Sequence, residues 1–341
     1  MKTGKLSETI FDRSVYKQLN HKNKNILSRL TSNQDGAVAA FTEGCRLISK
    51  SVSVSYTLLA AGEIAVAAAA NGVMALGGSP FGVSLSILLN PRIRETKLRT
   101  IMSGVNDLCN ELNISVMDCD VTVTPDVSRA VVTATVIGTA RSKEVRSTSD
   151  MQPGMDIVMA GLCGQSGAYV LASDYCSQLQ SRLPDNLIAN VTEYRNTFSI
   201  KGIMDSIEGC EYETIHCIGE GGVFGALWEM AGAANLGIST YLYSMPVSQE
   251  IIEISEFYGI NPYELCSVGA VLIASADGEA LARKLTTDGI EAAVIGTFTG
   301  DNDKVVNCQD EKRFLELPKG DALYEVICSK QETDEYERED S

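Results

Sequence analysis

In the first half of the chain, segments with the two-residue hydrophobic period of a strand and segments with the 3.6-residue period of a helix follow one another. Apolar and polar residues alternate in LISKSVSVS, residues 47–55, which is the pattern of a strand with one exposed face. Apolar residues recur near helical spacing in 93–112, and β-branched residues dominate RAVVTATVIGTA at 129–140. The predicted elements are, in order, a strand at 47–55, an alanine-rich helix at 58–76, a strand at 83–89, a helix at 93–112 and strands at 114–119 and 129–140.

One uncharged run could suggest a membrane span. Ile64–Pro91 carries no charged side chain and exceeds the roughly 20 residues that cross a bilayer. Alanine rather than leucine dominates its first part, which also contains Asn71, and the GGSP sequence at 77–80 would break a helix midway. We therefore expect a buried helix and a short apolar strand, and no membrane partner.

The second half twice repeats a strand that runs into a glycine turn. Residues 156–164, DIVMAGLCG, and 214–222, TIHCIGEGG, both show this pattern. Before them, the polar residues 141–152 and then Pro153-Gly154 indicate a domain boundary. Further strands are predicted at 238–243, 270–275 and 291–297, and helices at 165–182, 223–235, 248–258 and 277–287.

Composition gives the size of the protein and its net charge. The 341 residues carry 28 Lys and Arg against 44 Asp and Glu, a net charge of -16 that disfavours a nucleic-acid partner. At roughly 100–200 residues per domain, we predict an α/β (α+β) protein with domains at 1–150 and 151–330. Residues 331–341 contain six acids and one base, which predicts an acidic disordered tail, with a partner-binding tail as the alternative.

The cysteines and histidines do not indicate a specific catalytic or metal site. Ten cysteines are scattered without a CxxC motif and no secretory signal opens the chain, so we expect reduced thiols and a cytoplasmic location. Cys163 and Cys217 lie at the glycine turns, where packing and activation by a helix N-terminus are the alternatives. His216 is interpreted as a structural residue or an acid–base group, and with only one other histidine a zinc site is not expected.

The turn Gly219-Glu220-Gly221-Gly222 precedes a predicted helix, where backbone N–H groups could approach a phosphate. A purely structural turn is the alternative. The turn matches neither GxxxxGK[ST] nor GxGxxG, which disfavours a Walker-type NTPase and a Rossmann dehydrogenase.

Several segments, in order, resemble motifs of the AIR synthase (PurM-like) superfamily. QDGAVAAF at 34–41 resembles G-[DE]-D-A-A-V, and AANGVMALGGSP at 69–80 resembles N-D-I-A-A-M-G-A-x-P. HCIGEGGVFGALWEMA at 216–231 is similar to H-D-x-T-E-G-G-[VL]-x-G-A-L-x-E-[ML]-A. The match spans about residues 2–306 and most resembles AIR synthase-related and hydrogenase maturation (HypE-like) proteins. The superfamily also includes thiamin-monophosphate kinase and selenophosphate synthetase.

The resemblance implies a two-domain PurM-like fold. Its N-terminal mixed sheet joins a partner's sheet in a dimeric barrel, and its C-terminal domain is α/β. ATP is expected in a cleft, with Mg²⁺ on carboxylates because hard cations prefer oxygen ligands. No catalytic residue is assigned. The nucleotide-site positions that the resemblance implies are Asp35, Asn71, Asp120, Gly219, Glu220, Gly221 and Gly222, with Asp35 and Asp120 as metal ligands.

Several acids of the family pattern are absent. Gln34, Gly72 and Cys217 stand where the pattern has carboxylates, which leaves triphosphate repulsion less compensated. Two functions therefore stay open. One is an ATP-binding, homodimeric enzyme that activates or phosphorylates a small metabolite. The other is a catalytically degenerate homodimer that binds another ligand or a protein partner without hydrolysing ATP.

Overall fold

The computed structural model describes residues 37–42, 44–141, 145–146, 151–309, 311–316 and 320–328. Asp35, for which the family resemblance implies a role at the nucleotide and the metal, lies outside the described residues, as does the acidic segment 331–341. The described chain forms two mixed sheets with helices, and the predicted α/β class is confirmed.

The first lobe is built on a five-stranded sheet with the order β1-β2-β5-β3-β4. Neighbouring strands are antiparallel except for the parallel pair β3 and β4. In β5 every second residue is buried, because its β-branched residues alternate between the core and the opposite face. The strands are β1 (Ala37–Thr42), β2 (Cys45–Val54), β3 (Ser79–Leu89), β4 (Ser115–Val123) and β5 (Val131–Arg141).

Two helices, α1 (Ala61–Ala75) and α2 (Glu95–Glu111), complete the first lobe. The uncharged run supplies α1, in which all residues except Ala68 are buried. The helices approach closely because Gly62 has no side chain: a Cβ there would lie 2.6 Å from the Val105 side chain. In the part of the chain that the structure describes, no helix combines the length and apolar character needed to span a bilayer.

The second lobe is built on a seven-stranded sheet with the order β12-β11-β8-β10-β6-β9-β7. Only β8 and β11 pair in parallel. The predicted helix at 165–182 is interrupted at Tyr175, which separates α3 from α4. The strands are β6 (Asp156–Ala160), β7 (Thr214–Cys217), β8 (Gly237–Tyr241), β9 (Val271–Ser275), β10 (Ala292–Thr299), β11 (Lys304–Cys308) and β12 (Glu311–Phe314).

The helices of the second lobe begin at recognisable caps in two cases. The side chains of Ser248 and Asp277 accept hydrogen bonds from backbone N–H groups three residues on. Residues 322–328 are also helical. The helices are α3 (Gln165–Asp174), α4 (Cys176–Leu179), α5 (Asp185–Thr192), α6 (Lys201–Ser206), α7 (Gly222–Ala234), α8 (Gln249–Tyr258) and α9 (Gly278–Thr287), with 3-10 turns at Glu193–Thr197, Leu242–Ser244 and Pro262–Glu264.

The larger hydrophobic core runs through both lobes. It joins residues of α1 such as Ile64 to residues of α3 and β7 such as Leu171 and Ile215. A partly buried ion pair reinforces this junction, because Arg195 donates to Glu63 of α1 at 2.8 Å. The two sheets are therefore held in a fixed relation, and a cleft remains where α1 and β2 face the second lobe.

Candidate functional site

A cavity of about 490 Å³ lies between the lobes, and we refer to it as the cleft. Its volume falls in the range of small-molecule and cofactor sites. The lining residues come from β2 and the residues after it, α1, the end of β7 and the glycine turn, α7, the segment before β9 and the C-terminal helical segment. They are Lys50, Ser51, Val52, Ser53, Ser55, Tyr56, Ala68, Asn71, Cys217, Ile218, Gly219, Glu220, Ala226, Glu229, Cys266, Val268 and Tyr324.

Residues 50–53 form the β2 wall of the cleft, with Lys50 and Val52 on one face of the strand and Ser51 and Ser53 on the other. Lys50 is the only cationic side chain that lines the cleft among the described residues. Ser51 Oγ and Ser53 Oγ lie 2.9 Å and 2.7 Å from threonine hydroxyls of β5, so their positions are fixed by cross-strand hydrogen bonds. A wall of this kind suits an anionic group such as a phosphate.

Asn71 lines the cleft, but its amide group is engaged by the protein. Its Nδ2 donates to the Phe198 carbonyl at 2.7 Å, and its Oδ1 accepts from the Ile200 N–H at 3.0 Å. The side chain is 1% exposed. The structure therefore shows Asn71 fixing the second lobe against α1, a role that the sequence did not predict.

The turn at 219–222 follows β7, and its first two residues line the cleft. Gly221 and Gly222 have φ values of 86° and 61°, the left-handed region that favours glycine. The N–H of Gly222 donates to the Gly219 carbonyl at 3.2 Å, and the N–H of Gly221 donates to the Asp321 carboxylate at 2.7 Å. These two N–H groups, the obvious candidates for a phosphate, are thus both occupied within the chain.

Asp321 is a buried carboxylate that the sequence reasoning missed. It is 4% exposed and also accepts from the Leu323 N–H at 2.9 Å, so it caps the helix at 322–328. Desolvation by burial raises its pKa to about 6, against the lowering effect of backbone hydrogen bonds that include those from Leu323 and Gly221. An aspartate directly before an apolar helical segment is the sequence signal that could have indicated this cap.

Two tyrosines and a cysteine that line the cleft lie near Asp321. The Tyr56 hydroxyl lies 3.6 Å from Cys266 Sγ, and the Tyr56 ring meets the Tyr324 ring edge to face at 6.2 Å. Burial raises the pKa of Tyr56 and of Cys266, so both groups stay protonated at neutral pH. This end of the cleft combines two aromatic rings with the nearby carboxylate of Glu220, and the rings suit an aromatic ligand group.

A second pair of titratable groups lies behind the glycine turn. His216 is 2% exposed, and its Nε2 lies 3.1 Å from Oε2 of Glu229, which lines the cleft. Such a pair can hold a proton close to a ligand. Cys163 at the other glycine turn is fully buried, and burial raises the pKa of its thiol, so packing is its role.

Asp120 does not line the cleft. It lies on β4, where every residue is exposed, and pairs in register with Ser86 of β3. Within the described ranges, no group of three or more His, Cys, Asp or Glu side chains is placed to hold a metal ion. The described cleft thus fits a nucleotide in volume and in its Lys50 wall, and it does not supply a Mg²⁺ carboxylate set.

Two family models match the chain. The AIR synthase related protein N-terminal domain matches residues 33–140, and the corresponding C-terminal domain matches residues 152–309. A hydrogenase expression/formation protein of Methanocaldococcus jannaschii is 25% identical over 277 residues, which cover 78% of each chain.

Solved structures show the same fold. Hydrogenase maturation protein HypE in complex with ATP has a TM-score of 0.65 at 18% identity, covering 90% of this chain and 91% of that one. AaThiL complexed with AMPPCP and TMP has a TM-score of 0.68 at 16% identity, covering 92% of this chain and 96% of that one. Both likenesses extend over most of the two lobes.

Proposed function

The chain belongs to the AIR synthase related protein family, and from this premise we propose that it binds ATP in the cleft and acts on a small metabolite. The proposed chemistry is ATP-dependent activation or phosphoryl transfer. The observation that carries the proposal is the cleft itself, a space of about 490 Å³ at the junction of the lobes that Lys50 helps to line. The ATP-complexed HypE structure and the AMPPCP-complexed ThiL structure support the choice of nucleotide.

Lys50 would neutralise phosphate charge on the β2 side of the cleft. At the other end, Tyr56 and Tyr324 would contact the base. Glu229, held by His216, would accept a proton from the metabolite. These assignments divide the cleft into a phosphate side on β2 and an aromatic side near the C-terminal helical segment.

Calorimetric titration with ATP, with and without Mg²⁺, tests this proposal. Lys50→Met should weaken ATP binding about tenfold, since one charge-assisted contact to phosphate contributes roughly 1.4 kcal/mol or more. Lys312→Met is the matched control, because Lys312 is exposed on β12 and does not line the cleft. Absence of ATP binding to the wild-type chain, or equal affinity for both variants, would contradict the proposal.

The second candidate function is ligand or partner binding without ATP hydrolysis. The engaged N–H groups of Gly221 and Gly222 favour it, as does the lack of a metal-holding group among the described residues. Turnover decides between the two. Hydrolysis or phosphoryl transfer that Lys50→Met reduces supports the enzyme, whereas tight ATP binding with no turnover across a metabolite panel supports the binding protein.

We propose further that the protein is a homodimer joined at β4. This edge strand is fully exposed and carries apolar side chains, with Met117 48% and Val123 61% exposed. An exposed apolar edge strand is a template for pairing with another chain. Light scattering should give the mass of two chains, and the Met117→Lys, Val121→Lys double variant should give the mass of one. A wild-type monomer at micromolar concentration would refute the dimer.

A further inference from the structure

A second cavity of about 430 Å³ lies in the second lobe. It shares no lining residue with the cleft among the residues that the structure describes. The two cavities are separated by the glycine turn: Gly219 and Glu220 line the cleft, while Gly221 lines the second cavity together with Gly320. We refer to this space as the rear cavity.

The rear cavity has an aromatic wall. The rings of Phe224 and Tyr263 stack with centroids 5.5 Å apart and planes at 16°. Gly222 makes this possible, because a Cβ there would lie 2.4 Å from the Tyr263 carbonyl and would push the start of α7 away. Both rings are half-buried and line the cavity, so each presents apolar surface to a ligand.

The opposite wall adds a further ring. Phe314 of β12 lines the cavity and is 68% exposed, while Leu315 beside it is buried. A large aromatic side chain that remains this exposed beside a concave space indicates a contact surface for a ligand. A flat ring could therefore lie in the rear cavity between Phe314 and the stacked pair.

Among the described residues, two carboxylate side chains, Glu264 and Glu316, line the rear cavity against one guanidinium. Glu264 is half-buried, and Asn261 fixes its carboxylate by donating from Nδ2 to Oε1 at 3.0 Å. No basic side chain in the described ranges forms an ion pair with Glu264. Arg313, whose guanidinium is the only one among the described residues that line the cavity, is paired with Glu311 at 2.9 Å. A ligand for this cavity should bring a positive charge to Glu264.

We propose that the rear cavity is a binding site for a planar aromatic group that carries a positive charge, such as an aryl amidine or a heteroaromatic amine. The aromatic plane of the ligand packs between the stacked rings and Phe314, and cation–π attraction adds to this contact. Glu264 pairs with the charged nitrogen. Phosphate groups are repelled by the same carboxylate, so ATP is not the ligand of this site.

Saturation-transfer NMR titrations with benzamidine test the site on the full chain without nucleotide. We expect saturable binding at millimolar concentration. Benzoate, which reverses the charge, and cyclohexanecarboxamidine, which removes the aromatic plane, should each bind at least about tenfold more weakly. Benzamidine that fails to saturate, or benzoate that binds as tightly, would overturn the proposal.

Three variants locate the probe. Glu264→Gln keeps an acceptor for Asn261 and should weaken benzamidine about tenfold, and Phe314→Ala, at an exposed position, should weaken it several-fold. Glu279→Gln, on the exposed first turn of α9, is the control and should leave the affinity unchanged. Wild-type affinity in both Glu264→Gln and Phe314→Ala would refute the assignment to this cavity.

Competition separates this site from the cleft. Saturating ATP should leave benzamidine binding unchanged within about twofold, and benzamidine should bind equally to Lys50→Met. Displacement of benzamidine by ATP would place the probe in the cleft and overturn the proposal. Since the benzamidine titration needs no nucleotide, a failure of ATP to bind would leave this result intact.

Discussion

Asp321→Asn should change how the stability of the protein depends on pH. The Asp321 carboxyl is buried, and desolvation raises its pKa from 3.8 to about 6, with the negative charge of Glu264 adding to the shift. In the unfolded chain the carboxyl is solvated and regains its ordinary value. The native state therefore holds the proton more tightly than the unfolded state.

The sign follows from this difference. A raised pKa in the folded state stabilises the protein fully below pH 3.8, and the contribution is lost as the pH rises through about 6. At about 1.4 kcal/mol per pKa unit, the whole contribution is about 3 kcal/mol, of which roughly 2 kcal/mol falls between pH 4.5 and 7. The wild-type protein should thus gain about 2 kcal/mol over Asp321→Asn on acidification across this range.

Urea unfolding at several pH values measures this difference. Trp228 is the only tryptophan and lies on α7, directly after the glycine turn that Asp321 contacts, so its fluorescence reports on this region. Glu63 and Asp174 also have a raised pKa because of burial, and subtracting the variant's curve removes their effect. Parallel curves for the two proteins, or a wild-type protein that loses stability relative to the variant on acidification, would refute the reasoning.

Two further substitutions should lower the stability that a thermal melt measures, one by straining the backbone and one by removing hydrogen bonds to it. Gly222→Ala should lower the free energy of unfolding by about 2 kcal/mol or more, because φ is 61° and the added Cβ would lie 2.4 Å from the Tyr263 carbonyl. Gly219→Ala is the control and should lower it by less than about 1 kcal/mol, since a Cβ there meets nothing within 4 Å. Equal losses of stability in the two variants would contradict this reasoning. Asn71→Ala should cost about 2–4 kcal/mol, because it leaves a buried carbonyl and N–H in residues 198–200 without their partner, and a loss below about 1 kcal/mol would contradict that role.

The periodicity of hydrophobic residues correctly predicted the long strands and helices of the first lobe. The alternation at 47–55 is the strand β2, and the alanine-rich run contains α1 and leads into β3. Both patterns are long enough for burial to decide the local structure. β11, β12, α5 and α6 were not predicted. They have 4 to 8 residues, and none is an apolar run that enters a glycine turn, which is the pattern that indicated β6 and β7 at similar length.

The cleft could be predicted only in part. The glycine turn was recognised because Gly-Glu-Gly-Gly after a strand and before a helix is a local pattern. The engagement of its Gly221 N–H was not, since Asp321 lies 100 residues away in sequence. Asn71 presents the same difficulty, because its partners Phe198 and Ile200 are 127 and 129 residues distant. Such long-range partners depend on the assembled fold and leave no local signal.

The continuous core between the lobes has a consequence for the history of the chain. When each domain of a protein has its own core, one domain can be exchanged or duplicated independently of the other. Here a cut at Pro153-Gly154 would expose the buried face of α1 on one fragment and its partners on α3 and β7 on the other. Substitutions on either side of that junction must therefore be accommodated by the other, and the halves are constrained to vary together.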